Sequence, residues 1–302
     1  MDMKLLVIIV TYNAMKWVEK CFDSLHSSSI VPDVFVVDNG STDGTQAYIQ
    51  ENYPEVIFQQ SSDNLGFGKA NNMGLQYALN NDYDYVYLLN QDAWVLPDTF
   101  EKLIEISKNN SEYGILSPFQ MNSDMGHVDR DFVKDVCRWQ SNPDIFSDIY
   151  TRSEAVIYPV FSVMAAHWLI TKECLQKVGG FSPSFHHYGE DNNYTDRVKF
   201  WGMKVGVVPS LRVVHDRGYR IDPPDKRMYF MYTTGVFKLS SPDSKEWLDL
   251  LRMFDSFLKA TISYKSFKPL SYFFKICKNF RSIRRNKIIS KENKCAFLQS
   301  FS

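Results

Sequence analysis

The chain has 302 residues, 44% hydrophobic and 23% charged, with a net charge of −1. That is the make-up of a globular protein with one sizeable α/β core and an appended piece, and it gives no reason to expect a nucleic-acid partner. The charge is unevenly spread, because from Lys265 to Lys294 ten Lys or Arg residues stand against one acid, Glu292. Such a block is either a solvated tail or a surface for an anionic partner.

The five cysteines, Cys21, Cys137, Cys174, Cys277 and Cys295, are scattered without metal-type spacing, as free thiols in a reducing cytoplasm would be. The apolar stretch Leu5–Val10 is too short for a signal peptide and ends at a polar Thr-Tyr-Asn. The longest apolar region, from Val156 to Ile170, is broken by Pro159, Ser162 and His167, and makes a poor membrane span.

In chain order, Leu5–Thr11 reads as a buried strand, followed by a helical pattern from Met15 to Ser27. A second strand, Val34–Val37, ends in the turn cluster Asp38-Asn39-Gly40-Ser41, after which Thr42 is placed to cap a helix reaching Asn52. Val56–Gln59 reads as a third strand, Phe67–Asn80 as a helix and Tyr85–Leu89 as a fourth strand. Alternation at this spacing predicts right-handed βαβ units and a mostly parallel sheet. The region from Gly114 to Tyr158 reads as a polar, irregular excursion over the sheet, with His127, Asp129, Arg130, Asp131 and Trp139. Val160–Ile170 then reads as a strand, Thr171–Val178 as a short helix and Asp191–Trp201 as another. Two short strands follow, Val205–Val208 and Leu211–His215, and beyond Asp222 the pattern turns helical, aromatic and finally basic.

Polar residues collect where strands end: Thr11-Tyr12-Asn13, Asp38-Asn39 and Asn90-Gln91-Asp92. The carboxyl ends of parallel strands open onto one crevice, so these three ends converge on a single ligand site. Asp38 could accept hydrogen bonds from a ribose or a pyrimidine, or simply close an Asx-turn. Asn64-Leu65-Gly66-Phe67-Gly68-Lys69-Ala70-Asn71-Asn72 lacks the spacing of a Walker loop and the third glycine of a dinucleotide fingerprint, and reads as a tight turn into a helix start. Asp92, at a strand end, is an oxygen ligand suited to Mg²⁺ or Mn²⁺ shared with a diphosphate, or a plain turn residue. Glu190 and Asp191 open a helix, where a carboxylate could act as general base or merely favour the helix dipole. His215 ends the last strand as a further candidate metal ligand, while His186 and His187 lie near the acidic pair as candidate acceptor contacts.

Taken together, these motifs resemble the family 2 glycosyltransferases of the GT-A fold, in particular their rhamnosyltransferase-like branch. The resemblance runs through Val7–Asn13, Val36–Gly44, Asn64–Asn72, Leu88–Asp92, Val178-Gly179-Gly180-Phe181, Tyr188-Gly189-Glu190-Asp191 and Val213-Val214-His215, in family order. It implies that Thr11, Tyr12 and Asp38 hold the nucleoside of a dTDP- or UDP-sugar donor, with Asn13, Asn64, Lys69, Asn72, Asn90 and Gln91 near the donor. It further implies Asp92 and His215 at a divalent cation, Asp191 as catalytic base with Glu190 beside it, and inversion at the anomeric centre. Many relatives carry Asp-x-Asp where this chain has Asn90-Gln91-Asp92, so one carboxylate of that motif is absent.

The expected organisation is a GT-A catalytic domain over residues 1–222 and a helical, basic extension over 223–302. The expected setting is the cytoplasm, with a saccharide or lipid-linked saccharide as acceptor in surface polysaccharide or glycolipid assembly. The stretch Leu270-Ser271-Tyr272-Phe273-Phe274-Lys275 and its basic neighbours suit a peripheral contact with an anionic membrane. A sugar nucleotidyltransferase would want a Gly-rich basic loop after the first strand, where Thr11-Tyr12-Asn13 stands. A non-catalytic nucleotide-sugar-binding homologue is the other alternative.

Overall fold

The computed structural model describes residues 3–137, 144–218 and 224–298. Trp139 and the 222/223 domain boundary lie outside them. The first half of the chain builds β1 (Leu5–Thr11), α1 (Val18–His26), β2 (Asp33–Asp38), α2 (Thr45–Asn52), β3 (Ile57–Gln60), α3 (Phe67–Asn80) and β4 (Tyr85–Asn90). Next come β5 (Ala93–Trp94), α4 (Thr99–Asn109), β6 (Tyr113–Met121), α5 (Arg130–Val136), α6 (Ile145–Thr151), β7 (Tyr158–Pro159) and β8 (His167–Thr171). The remainder is α7 (Lys172–Val178), α8 (Glu190–Phe200), β9 (Lys204–His215), α9 (Pro224–Ser240), α10 (Glu246–Ser263) and α11 (Lys268–Glu292).

One sheet runs β3-β2-β1-β4-β8-β6-β9-β5, with β7 also paired to β9. The half built from β3, β2, β1 and β4 is parallel, as the alternation predicts. The other half is mixed, because β8 runs antiparallel to both β4 and β6. Period-2 alternation sorts each strand between two faces. Leu6 and Ile8 of β1 point into a core shared with α3, α7 and α8, whereas Leu5, Val7 and Ile9 point into one shared with α1, α2 and α4. The chain is therefore a helix–sheet–helix sandwich whose central strands are apolar on both faces.

Several expectations change on contact with the structure. Far from being a surface excursion, Tyr113–Met121 is the fully buried strand β6. Its polar look comes from Ser117, Pro118 and Gln120. Pro118 has no N–H to donate, and the pairing with β9 shifts register between Pro118 and Phe119, which absorbs it. β9 runs through both short strands expected here, and its segments paired to β6, Lys204–Val208 and Arg212–Val214, flank the same shift. Of the expected long strand Val160–Ile170, the regular ladder holds only from His167 onward; Met164, Ala165 and Ala166 before it line a crevice. Thr42 does not cap α2. The cap position is Gly44, and Asp43 Oδ1 accepts from the Thr45 N–H at 3.1 Å and its hydroxyl at 2.6 Å.

α9, α10 and α11 pack around a small core of their own that includes Val236, Leu239, Met253, Phe257, Ile276 and Ile283. After α11 the chain returns to the sheet layer, where the Gly180 N–H donates to the Ala296 carbonyl at 2.8 Å. All five cysteines are free thiols.

Candidate active site

The loops after β1, β2 and β4 are knitted together before any ligand arrives. Asp38, fully buried, is the knot. Its Oδ2 accepts from the Thr11 hydroxyl at 2.8 Å and the Ser41 hydroxyl at 2.6 Å. Its Oδ1 accepts from the N–H groups of Gly40 and Ser41 and from the Gln46 amide, at 3.1, 2.9 and 2.7 Å. Asn13, held at φ 53°, ties the loops in the same way by accepting from the Thr42 N–H at 2.9 Å. Gln91 clamps the backbone of Tyr12 from both sides, accepting from its N–H at 2.6 Å and donating to its carbonyl at 3.2 Å.

Above this floor lies a crevice of about 510 Å³ lined by Val10, Tyr12, Asn39, Asn64, Gly66, Phe67, Asn90, Gln91, Asp92, His186 and His187. Gly66 closes one wall. At φ +80° it occupies the left-handed region, and a Cβ there would stand 2.2 Å from the His186 carbonyl oxygen. A second crevice of about 360 Å³ adjoins it, sharing Phe67, Asn90 and His187 and adding Glu190, Asp191, His215, Arg217 and Lys226 among its walls. The two form one trough, with Asp92 on the side of the strand ends and Asp191 at the head of α8.

Of the residues expected from sequence, the structure brings Tyr12, Asn64, Asn90, Gln91, Asp92, Glu190, Asp191 and His215 to the trough. Thr11 and Asp38 are buried, with their side-chain oxygens engaged by protein partners, and exposed Asn13 accepts from the Thr42 N–H; none of the three lines the trough. Lys69 and Asn72 lie away from the trough. They sit on the side of α3 that faces Phe35, Ile57 and Gln59, and Asn72 is occupied with both backbone polar groups of Phe181, at 2.6 and 2.9 Å. Three residues apart on a helix, the two share one face.

The acidic pair divides by environment. Gly189, at φ +94°, caps α8, and the two carboxylates that follow it sit on successive positions of the helix, about 100° apart. Glu190 is only 6% exposed, and its Oε2 has no hydrogen-bond partner among the described residues. Burial, aided by the charge of Asp191, pushes its carboxyl up to about 8. Asp191 is half-buried, faces both the trough and a smaller apolar pocket beside α9, and its Oδ1 accepts from the Asn192 N–H at 2.8 Å.

His215, 1% exposed, stands between two carboxylates, with Nε2 3.5 Å from Asp92 Oδ1 and Nδ1 3.3 Å from Asp129 Oδ2. These are ion-pair separations without hydrogen-bond alignment, and both ring nitrogens and Asp129 Oδ2 are unsatisfied among the described residues. Burial opposes protonation of His215, but the flanking carboxylates outweigh it and raise its pKa. Burial likewise works to raise Asp92, and facing His215 and Arg217 pulls it below the ordinary range. An unsatisfied imidazole beside a strand-end carboxylate fits a divalent cation. No group of three or more His, Cys, Asp or Glu side chains converges as a metal cage among the described residues. A cation bound there would take few protein ligands and would fill the rest of its coordination with phosphate oxygens and water, as Mg²⁺ prefers. Asp129 was not foreseen as part of a site. Its Oδ1 caps α5 through the N–H groups of Asp131 and Phe132, which frees Oδ2 to face His215. Arg217, also unforeseen, brings a guanidinium to the trough 3.7 Å from Asp131.

The family model of glycosyl transferase family 2 matches residues 6–166, more than half of the chain. The chain belongs to this family. Among curated relatives of this family 2 transferase is the N-acetylglucosaminyl-diphospho-decaprenol L-rhamnosyltransferase of Mycobacterium tuberculosis, 27% identical over 268 residues, covering 82% of this chain and 87% of the relative. The low-salt glycan biosynthesis hexosyltransferase Agl10 of Haloferax volcanii is 22% identical over 212 residues, covering 70% of this chain and 66% of that one. In three dimensions the transferase shares its fold with S. aureus TarS 1–349, at a TM-score of 0.59 and 16% identity, over 96% of this chain and 83% of that one. The TarS fragment solved with UDP-GlcNAc superposes similarly, with a TM-score of 0.58 over 96% of this chain and 84% of that one. The GT-A expectation is met. The matched span ends before α8, so Glu190, Asp191 and His215 lie outside it.

Proposed function

We propose that this glycosyltransferase transfers a hexosyl or deoxyhexosyl group from a nucleoside-diphosphate sugar, of dTDP or UDP type, to a hydroxyl of a saccharide acceptor, with inversion. The observation that carries this reading is the single trough, with a half-buried carboxylate at the head of α8 and a carboxylate–histidine pair across it. The nucleotide would lie over Tyr12, Asn39 and Asn64, placing its diphosphate toward Asp92 and the anomeric carbon near Asn90.

The acceptor oxygen attacks the anomeric carbon from the side of Asp191, the bond from that carbon to the diphosphate oxygen breaks, and the acceptor proton passes to Asp191. Only one proton moves, because the leaving diphosphate departs as an anion. Asp92 and His215 Nε2 would hold a Mg²⁺ or Mn²⁺ ion, which when bound neutralises charge on the diphosphate. Asp129 faces Nδ1 of His215 and would keep the proton there, leaving Nε2 free to ligate. Arg217 adds positive charge on the same side. Glu190 stays protonated behind Asp191, so that the two carboxyls do not compete for the acceptor.

The mycobacterial relative's name describes an L-rhamnosyltransferase acting on a lipid-diphosphate saccharide, and TarS has been solved with UDP-GlcNAc. These motivate dTDP-rhamnose and UDP-sugars as first donors and a lipid-linked saccharide as first acceptor. The test is a thermal-shift screen of nucleoside diphosphates and nucleotide sugars with and without Mn²⁺, since a ligand of the folded state raises the melting temperature with its affinity. A cation-dependent rise with one nucleotide class supports the reading. No rise with any of them contradicts it.

A further inference from the structure

The outward side of α10 is apolar where a surface helix is ordinarily polar. Trp247, Leu251, Phe254, Leu258 and Ile262 recur at steps of three and four, so they share one face of the helix. They are not core residues. Trp247 is 75% exposed and Leu251 and Ile262 are each 70% exposed, whereas the opposite face, through Met253 and Phe257, already packs on α9 and α11. The stripe is about 22 Å long at the helical rise per residue. It widens at the next turn and helix, where Phe267 and Phe274 are also exposed, and Phe273 joins the two helices through a ring contact with Phe254 at 5.3 Å. A contiguous exposed apolar patch of this kind marks a contact surface.

Charge selects the occupant. Two of the three acids of α10 are paired locally, Glu246 with Arg284 and Lys287 and Asp255 with Lys259, and the third, Asp249, is engaged at the start of its own helix, where it accepts from the Lys245 N–H. The exposed side of α11 carries Lys275, Lys278, Arg281 and Arg285 with no acid among them. A second copy would set this cationic side against its like, whereas an anionic bilayer would neutralise it. Trp247, at one end of the stripe, is a residue suited to the headgroup level. No described helix is long and apolar enough to cross a membrane, so the contact would lie in the interfacial plane.

We propose that the outer face of α10, with the cationic exposed side of α11, is a docking surface that seats on an anionic lipid bilayer. The apolar part of this face is not the Leu270–Lys275 stretch that the sequence singles out. Tyr272 and Phe273 pack inward there, and only Phe274 and Lys275 of the aromatic run stay outside. Helix α9 lines the trough with Lys226 and Phe230 and packs against both α10 and α11, so a docked bilayer would lie one helix layer from the reaction site.

The test sediments the full chain with vesicles and uses no sugar donor, so its outcome is independent of the transferase reading. Vesicles of phosphatidylcholine with about one-third phosphatidylglycerol should carry the protein down at low salt and release it at high salt, while pure phosphatidylcholine should not. Leu251→Ser with Ile262→Ser, and separately Lys278→Glu with Arg281→Glu, should each weaken partitioning by about tenfold or more while leaving the melting temperature unchanged, because all four side chains are exposed. Equal binding to both vesicle types, or variants that bind like the wild type, would overturn the proposal. A salt-resistant dimer that fails to bind vesicles and is dissolved by the Leu251→Ser and Ile262→Ser pair would give the face to a second copy instead.

Discussion

Exchanging the acidic pair one residue at a time should separate a base from its neighbour. With its carboxyl pushed up to about 8, Glu190 holds a proton in most molecules at neutral pH. Glu190→Gln therefore substitutes an uncharged group of similar shape for another, and kcat should stay within about fivefold of the wild type. Asp191→Asn removes the only proton acceptor that the mechanism needs. A positioned general base is worth about 10²–10⁴ in rate, or about 3–5 kcal/mol of barrier, and kcat should fall by that factor. Donor affinity should not change, because Asp191 sits on the acceptor side of the trough and an asparagine there can still accept from the Asn192 N–H. Initial rates of nucleotide release at saturating acceptor, with donor binding by calorimetry, read both quantities. A hundredfold loss in Glu190→Gln, alongside a nearly intact Asp191→Asn, would refute the reasoning and make the buried carboxyl the base.

The same buried carboxyl makes stability depend on pH. A folded pKa above the unfolded value means that the contribution is fully present below about 4.5 and is lost as pH rises through about 8. Between those limits the slope approaches about 1.4 kcal/mol per pH unit, and Glu190→Gln should flatten it in denaturant titrations run at successive pH values. Asp92→Ala should lower Mn²⁺ and donor affinity together in paired titrations. Asp129→Asn should lower Mn²⁺ affinity by about ten- to a hundredfold and move the His215 proton to Nε2, visible in its ¹⁵N shifts, while the melting temperature holds because asparagine also caps helices well. Asp38→Ala should cost about 3–5 kcal/mol in urea unfolding, since it strips five donors of a buried charged acceptor. A cost under about 1 kcal/mol with lost donor binding would instead put Asp38 on the donor.

The parallel half of the sheet was legible because its strands are apolar on both faces and end in polar turns, a pattern set by local sequence. Phe67–Asn80 was legible for the same reason, with a tight glycine turn before a long amphipathic run. β6 was not, because Ser117, Pro118 and Gln120 imitate a loop, and only the register shift against β9, a distant strand, reveals how the proline fits. Motif order picked out Asp92, Glu190, Asp191 and His215, which line the trough, but not which other motif residues do. Asp38 and Asn72 sit in motifs and spend their polar atoms on the protein itself. Asp129 was invisible because it acts across 86 residues through His215, and only the folded chain brings the two side chains together. The apolar stripe of α10 is readable as a periodicity, but its exposure depends on which face α9 and α11 cover.

The most direct measurement of the central claim is a transfer assay pairing dTDP-rhamnose and a panel of UDP-sugars with a lipid-diphosphate-linked N-acetylglucosamine acceptor. Product would be followed by mass spectrometry and its anomeric configuration by NMR. One donor should be consumed in step with one added sugar per acceptor and one nucleoside diphosphate released, and the new linkage should have the configuration opposite to that of the donor. A product that retains the donor's configuration, or folded protein that binds a donor yet adds no sugar to any hydroxyl acceptor, would contradict it.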